Sequence, residues 1–115
     1  MIYIAGRITG DPGYKSKFKK AENVLREAGL EVMNPAILPE GLTREQAMPI
    51  CMELLKCCDS ICLLEDWYTS IGAREEMRVA LEADLHVMTL KFRPEIEQMG
   101  TTDKNHWKIE LEEEV

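Results

Sequence analysis

Two short segments of the sequence combine glycine with hydroxyl and charged side chains. Residues 6–10 read Gly-Arg-Ile-Thr-Gly, and residues 65–72 read Glu-Asp-Trp-Tyr-Thr-Ser-Ile-Gly. The second segment runs into a predicted helix, and backbone N–H groups at the start of a helix attract anions through their partial positive charge. The two segments together therefore indicate a site for a phosphate group.

The common nucleotide-binding motifs are absent from these segments. Gly6, Gly10 and Gly13 do not have the G-x-G-x-x-G spacing of dinucleotide-binding folds, and no Gly-Lys-Ser or Gly-Lys-Thr sequence follows them. Ala5 is followed by Gly6 and Arg7, without the acidic pair that a phospho-receiver domain needs. These three functions of α/β folds are therefore excluded.

Strand-like and helix-like patterns alternate along the chain and must position the two segments. Four short apolar runs predict strands at residues 1–5, 30–33, 60–64 and 85–90. Three stretches with apolar residues at helical spacing lie between them. The first ends at Gly29, the second begins at the capping box of Thr43 and Gln46, and the third opens at Gly72.

Several details of these elements are also expected. Residues 35–41 should form a loop, and Pro49 predicts a kink or a restart within the second helix. Alternating apolar residues at 107, 109 and 111 predict a fifth strand at the sheet edge, within an acidic tail of about residues 92–115. The third helix should bury four apolar residues, Ala73, Met77, Ala80 and Leu81.

This β-α-β-α-β-α-β order predicts a single α/β domain over residues 1–115. The expected architecture is an open parallel sheet of four or five strands, flavodoxin-like or Rossmann-like, with helices on both faces. Ligands bind such sheets beyond the carboxyl ends of the strands, where the strand order reverses. Residues 6–10 and 65–72 follow the first and third strands, so they should lie side by side at that point.

The amino-acid composition limits the classes of binding partner and the cellular location that we expect. The 115 residues include 21 acids and 14 bases, and the net charge of −7 argues against binding to polymeric nucleic acid. Residues 1–20 nevertheless carry five bases and one acid, which favours a small anion near them. No apolar run approaches the roughly 18 residues of a membrane span, and no signal-peptide pattern is present. We expect a cytoplasmic protein without membrane contact.

The cysteines indicate neither a metal site nor a redox site. All four lie within residues 51–62 and form no C-x-x-C pair. A free cysteine on an apolar face behaves as a small hydrophobic residue, which is the role expected here. We therefore expect no metal ion and no redox cofactor.

Residues 3–10 (Tyr-Ile-Ala-Gly-Arg-Ile-Thr-Gly) and 70–76 (Ser-Ile-Gly-Ala-Arg-Glu-Glu), followed by Ala80, resemble the nucleoside 2-deoxyribosyltransferase superfamily. Its members begin with a Y-x-A/C-G strand and carry G-x-x-x-E-x-x-x-A on the helix after the third strand. The sequence is closer to the deoxynucleoside 5′-monophosphate N-glycosidase branch, which has S-x-G-x-x-x-E. It is closer still to small bacterial and phage members of unknown function with W-x-x-S-x-G-A. The resemblance covers residues 1 to about 90.

The resemblance implies cleavage or transfer at an N-glycosidic bond, without any cofactor. Glu76 keeps the four-residue spacing from Gly72, whereas its neighbour Glu75 does not, so Glu76 takes the place of the nucleophile. Its carboxylate, held ionised by the helix dipole, would attack a deoxyribosyl carbon and form a covalent glycosyl intermediate. Without the resemblance, Glu76 would be interpreted as a solvated helical glutamate.

The resemblance also implies substrate contacts around the two segments. Ser70 and the N–H groups of residues 71–73, which include Gly72 and Ala73, would hold a 5′-phosphate. Arg7, which follows Gly6, would add positive charge where the N-glycosidase branch has serine. Ser70 is equally well explained as a helix N-cap.

Aromatic residues complete the implied site. Tyr3 would point towards the sugar, although a partly buried strand aromatic is an equally good interpretation. Trp67 and Tyr68 would stack on the base, or else serve as lid or dimer-contact residues.

One position departs from the family pattern. Many relatives carry an aspartate eight residues before the position of Asp59, where this chain has Cys51. That aspartate assists the leaving base or a sugar hydroxyl, and a thiol cannot replace the hydrogen bonding of a carboxylate. Asp66, Glu65 or a neighbouring subunit would have to compensate.

Three hypotheses follow from the sequence. The first is a homo-oligomeric enzyme, a homodimer or larger, that acts on a small-molecule nucleoside or nucleotide. The second is a nucleotide-binding module of the same fold without catalysis, which Cys51 favours. The third is a structural or interaction protein whose contact surface includes the acidic tail, Trp67 and Tyr68.

Overall fold

The computed structural model describes the backbone of residues 1–94 and 107–114 and the side chains of residues 1–91. Its strands are β1 (Ile2–Ala5), β2 (Val32–Met33), β3 (Ser60–Leu64), β4 (His86–Pro94) and β5 (Trp107–Glu114). They form one sheet in the order β2-β1-β3-β4-β5. The first four strands are parallel, and β5 pairs with β4 in the antiparallel direction.

Three α-helices and two short 3₁₀ helices connect the strands. The α-helices are α1 (Tyr14–Glu27), α2 (Arg44–Lys56) and α3 (Ile71–Glu82), and the 3₁₀ helices cover Pro35–Ile37 and Trp67–Thr69. The predicted open α/β sheet and its edge strand within residues 92–115 are confirmed. The 3₁₀ helices lie in the two segments that the sequence predicts to be loops. The rest of the tail, residues 95–106 and 115, lies outside the described residues.

The side chains of β1 alternate between the two faces of the sheet. Ile2 and Ile4 pack with Phe18 and Leu25 of α1 on one face. Tyr3 and Ala5 point to the opposite face, where the buried residues of α2 and α3 form a second cluster with them. The sheet is therefore covered on both faces, and Tyr3 faces the layer that holds α3.

Of the two alternatives predicted at Pro49, the restart does not occur, because the second helix is continuous from Arg44 to Lys56 with Pro49 inside it. The predicted inner face of the third helix is wrong. Leu81 is 57% exposed, because the buried residues of α3 are Ala73, Glu76 and Ala80. Glu76, a carboxylate, takes one position on the inner face of α3. A prediction that places only apolar residues inside therefore assigns the wrong side of this helix to the core.

The change of helix layer occurs between the two central strands. The chain leaves β1 towards α1 on one face and leaves β3 towards α3 on the other. Gly6 follows β1 at this point, and a Cβ atom there would lie 2.9 Å from Leu64 Cδ1 and 3.2 Å from Asp66 Oδ1. The close approach of the two loops therefore requires glycine at position 6.

We expect Gly6→Ala to lower the free energy of unfolding by about 1–3 kcal/mol, the usual cost of overpacking. Gly41→Ala is the matched control, because no heavy atom lies within 4 Å of its added Cβ. Urea unfolding of the two variants and the wild type measures the difference. Equal stability of the two variants would contradict the close-approach interpretation.

Candidate active site

An open cavity of about 140 Å³ lies beyond the carboxyl ends of β1 and β3. The loop after β1 and the first turns of α3 form two of its walls, which confirms that these segments lie side by side. The amino-terminal half of α2 forms the third wall. The lining residues are Gly6, Ile8, Thr9, Leu42, Thr43, Arg44, Ala47, Met48, Cys51, Ser70, Gly72, Ala73 and Glu76.

Glu76 is a buried carboxylate in the wall of this cavity. It is only 6% exposed, and its Oε2 accepts a hydrogen bond from the Tyr3 hydroxyl. Tyr3 itself is fully buried in the centre of the sheet. The two residues are 73 positions apart in sequence, and the pairing of β1 with β3 brings them together. Tyr3 therefore lies behind Glu76 rather than in the cavity lining.

Burial controls the protonation of this pair. It raises the pKa of Glu76 to about 7, although the hydrogen bond from Tyr3 acts in the opposite direction. Burial, together with the charge of Glu76, also raises the pKa of Tyr3, so the phenol keeps the proton that it donates. Burial therefore opposes the ionisation of Glu76 that the helix dipole was expected to favour. Glu76 is the sixth residue of α3, and the dipole acts mainly within the first turn.

Cys51 lies next to this pair and lines the same cavity. Its thiol is buried and interacts with Tyr3 and Glu76. Burial raises the pKa of Cys51, which keeps the sulfur as a neutral thiol. The cavity thus holds a thiol at the position where the sequence resemblance expects a second carboxylate.

The amino-terminal end of α3 carries the predicted phosphate-binding residues. Ser70 is the N-cap, and its Oγ accepts a hydrogen bond of 3.1 Å from the Ala73 N–H. The N-cap interpretation of Ser70 is therefore confirmed. A second open depression of about 180 Å³ adjoins this helix end and is lined by Arg7, Thr9, Arg44, Thr69, Ser70, Ile71 and Gly72. Two arginines from different elements thus lie beside one helix terminus.

Two predicted substrate contacts lie away from the cavity lining. Asp66 is directed at the loop after β1, where its Oδ1 accepts a hydrogen bond of 3.0 Å from the Arg7 N–H. Trp67 packs against the core and lines a separate cavity on β3 and β4, which also includes Tyr68, Thr89 and Lys91. Asp66 therefore supports a wall of the site, and Trp67 is not brought together with Glu76.

The sequence prediction missed two residues of the wall formed by α2. Arg44 and Met48 lie there on successive turns with Cys51, the position to which the family resemblance had pointed. Arg44 was detectable in principle, because a cation in the first turn of a helix is opposed by the helix dipole and so suggests another function. Met48 gave no such signal, since a methionine at helical spacing is typical of a core.

The described residues contain neither a metal-binding cluster nor a helix that could cross a membrane. Within residues 1–91, whose side chains the structure describes, no group of three histidine, cysteine, aspartate or glutamate residues is placed to hold a metal ion. Over the same part of the chain, each helix is too short or too polar to cross a membrane.

Comparisons with known proteins were made for both sequence and structure. A family model described as "Domain of unknown function (DUF4406)" matches residues 1–89. A search of curated protein sequences gave no match. The solved structure of a 2-desoxiribosyltransferase from Leishmania mexicana is similar in fold, with a TM-score of 0.62 and 16% sequence identity. The similarity covers 93% of this chain and 77% of the Leishmania chain.

The raised pKa of Glu76 predicts how stability depends on pH. The folded protein binds this proton up to about pH 7, whereas the unfolded chain releases it near its ordinary pKa of 4.5. Stability therefore falls as pH rises from about 4.5 to 7, by up to about 3 kcal/mol. We expect Glu76→Gln to match the wild type near pH 4.5 and to exceed it in stability at pH 8, measured by urea unfolding.

Glu75→Gln is the matched control for this experiment. Glu75 is partly exposed and pairs with Arg78, whose hydrogen bond lowers the pKa of Glu75. Its substitution should produce a small change of opposite sign, since the paired carboxylate stabilises the fold at higher pH. A stability difference between Glu76→Gln and wild type that does not vary with pH would contradict the assignment.

Proposed function

The chain belongs to the DUF4406 family, and we propose that it cleaves or transfers the N-glycosidic bond of a nucleoside or nucleotide. The observation that carries this proposal is Glu76, a buried carboxylate held by Tyr3 in the wall of an open cavity. The fold is similar to that of a protein named as a 2-desoxiribosyltransferase, which supports the same chemistry.

Glu76 would act as the nucleophile in its ionised form. One carboxylate oxygen attacks the anomeric carbon of the sugar, and the bond to the base breaks with its electron pair left on the base nitrogen. That nitrogen takes a proton from solvent, which enters through the open cavity. Water or a second base then attacks the same carbon and gives up a proton. This second step breaks the glycosyl ester and restores the Glu76 carboxylate.

Tyr3 would act as a positioning residue in this reaction. Its hydroxyl donates to Oε2 of Glu76, which leaves Oε1 as the oxygen for attack. A buried hydrogen bond to a buried strand residue fixes the carboxylate rotamer before the substrate arrives, so less entropy is lost on reaction. The same bond favours the ionised carboxylate, which burial alone would disfavour.

A 5′-phosphate would bind at the amino-terminal end of α3. The cavity and the adjoining depression share Thr9, Arg44, Ser70 and Gly72 as lining residues, and we refer to the two together as the groove. Glu76 lines the cavity and Arg7 lines the depression. An anion there would interact with the helix N–H groups and with both arginines, and would offset the unfavourable position of Arg44 at the start of α2.

Cys51 supports a second candidate function, a nucleotide-binding module without catalysis. The neutral thiol beside Glu76 cannot replace a carboxylate as a hydrogen-bond acceptor for substrate. Asp66 does not compensate from within this chain, because it lies outside the cavity lining and bonds to Arg7 and Lys17. Chromatographic detection of free base after incubation with nucleosides and nucleotides separates the two functions.

We expect Glu76→Gln to reduce turnover by 10³-fold or more, about 4 kcal/mol of activation free energy, while ligand binding remains. Glu75→Gln should be near neutral, because this side chain pairs with Arg78 on the helix surface. A substrate analogue with fluorine next to the anomeric carbon should leave a sugar adduct on the peptide that contains Glu76. Wild-type turnover by Glu76→Gln would rule out the nucleophile.

The phosphate assignment predicts a difference between two classes of ligand. A 2′-deoxynucleoside 5′-monophosphate should raise the melting temperature more than the same nucleoside, because binding stabilises by RT ln(1 + [L]/Kd). Arg44→Gln should reduce that difference, whereas Lys56→Gln, at the far end of the same helix, should not. Equal stabilisation of the wild type by both ligands would remove the phosphate from the proposal.

A further inference from the structure

One lysine ties the loop after β1 to the rest of the molecule. The Lys17 ammonium donates to the Arg7 carbonyl at 2.8 Å and to Asp11 Oδ2 at 2.5 Å. It also donates to Asp66 Oδ2. An ammonium has three protons, so these three acceptors use its full capacity. Arg7 and Asp11, two residues of this loop, are thereby fixed to one point on α1.

Asp66 extends this connection to the loop after β3. Its Oδ2 accepts from Lys17, and its Oδ1 accepts from the Arg7 N–H at 3.0 Å. A single carboxylate therefore joins the two loops that contribute to the walls of the groove. The side chains of Lys17, Asp11 and Asp66 are 23%, 28% and 31% exposed, so solvent screens their attraction only in part.

The hydrogen bonds of Lys17 and Asp66 determine where the loop after β1 places Arg7 in the groove. Arg7 folds back over its own loop, where its Nε donates to the Thr9 carbonyl at 3.0 Å. A Cβ atom at Gly10, which has a φ of +82°, would lie 3.1 Å from Arg7 Nη2. The Arg7 guanidinium therefore lies against the backbone of the loop after β1. Lys17 and Asp66 hold this backbone in place through their hydrogen bonds. Neither of these two residues lines the groove itself.

We propose that Lys17 and Asp66 are positioning residues that hold the loop after β1 in the shape needed for anion recognition by Arg7. The identity of the anion, a nucleoside 5′-monophosphate, rests on the proposed function. The three-way contact of Lys17 does not. Loss of the ammonium would leave the carboxylates of Asp11 and Asp66 without the cation that joins them, and their repulsion would open the loop.

Two variants of α1 test this inference. Lys17→Met removes the ammonium but keeps a side chain of similar length, and Lys15→Met is the control, because Lys15 forms an exposed ion pair with Glu40. Hydrogen exchange detected by mass spectrometry should become faster in residues 6–11 of Lys17→Met and stay unchanged in Lys15→Met. Adding Asp11→Asn to Lys17→Met should restore part of the protection, because it removes the repulsion.

Calorimetric titration of the same variants gives the functional result. The affinity of Lys17→Met for a 2′-deoxynucleoside 5′-monophosphate should fall about tenfold, as for the loss of a charge-assisted contact, with little change for the matching nucleoside. Unchanged monophosphate affinity would overturn the inference and leave the proposed function standing. If the wild type binds neither ligand, the proposed function fails. In that case hydrogen exchange tests the inference. If residues 6–11 exchange at the same rate in Lys17→Met and in the wild type, the inference is overturned.

Discussion

The hydrogen bond between Tyr3 and Glu76 is the interaction on which the rest of the site depends. It places a carboxylate against the central strand of a sheet, in surroundings where a charge loses most of its hydration. Such a group is stable there only with a donor directed at it, and the Tyr3 hydroxyl supplies that donor. The alternation of β1 sends Tyr3 to the face that carries α3, so strand register and site chemistry are set together.

Positive charge is concentrated at one groove of this protein, although the chain is acidic overall. The chain carries a net charge of −7, yet one groove has Arg7 and Arg44 at its rim and a single carboxylate in its wall. The acidic residues near the loop after β1, Asp11 and Asp66, are held by Lys17 behind the groove. The opening of the groove therefore carries positive charge, although the chain as a whole is acidic.

Most of the fold could be predicted from the sequence, because its strands are short apolar runs separated by clear helix signals. The Thr43 and Gln46 capping box fixes the start of α2, and the structure shows both of its hydrogen bonds. The orientation of α3 could not be predicted in the same way, since apolar spacing counts Leu81 as inside and Glu76 as outside. Burial of Glu76 depends on Tyr3, which is distant in sequence, so no local pattern reveals it. The position of Asp66 depends in the same way on a residue distant in sequence, because its Oδ2 accepts a hydrogen bond from Lys17 of α1.

The residues of the site are far apart in sequence, and this separation affects when the site forms during folding. Tyr3 comes from β1, Cys51 from α2 and Glu76 from α3, and the pairing of β1 with β3 is needed before they meet. Contacts between distant parts of a chain form late, because closing the intervening loop costs entropy before any contact repays it. A partly folded chain that holds only β1, α1 and β2 has no site, and a nascent chain acquires one only after α3 has been synthesised. Site formation therefore coincides with closure of the central sheet.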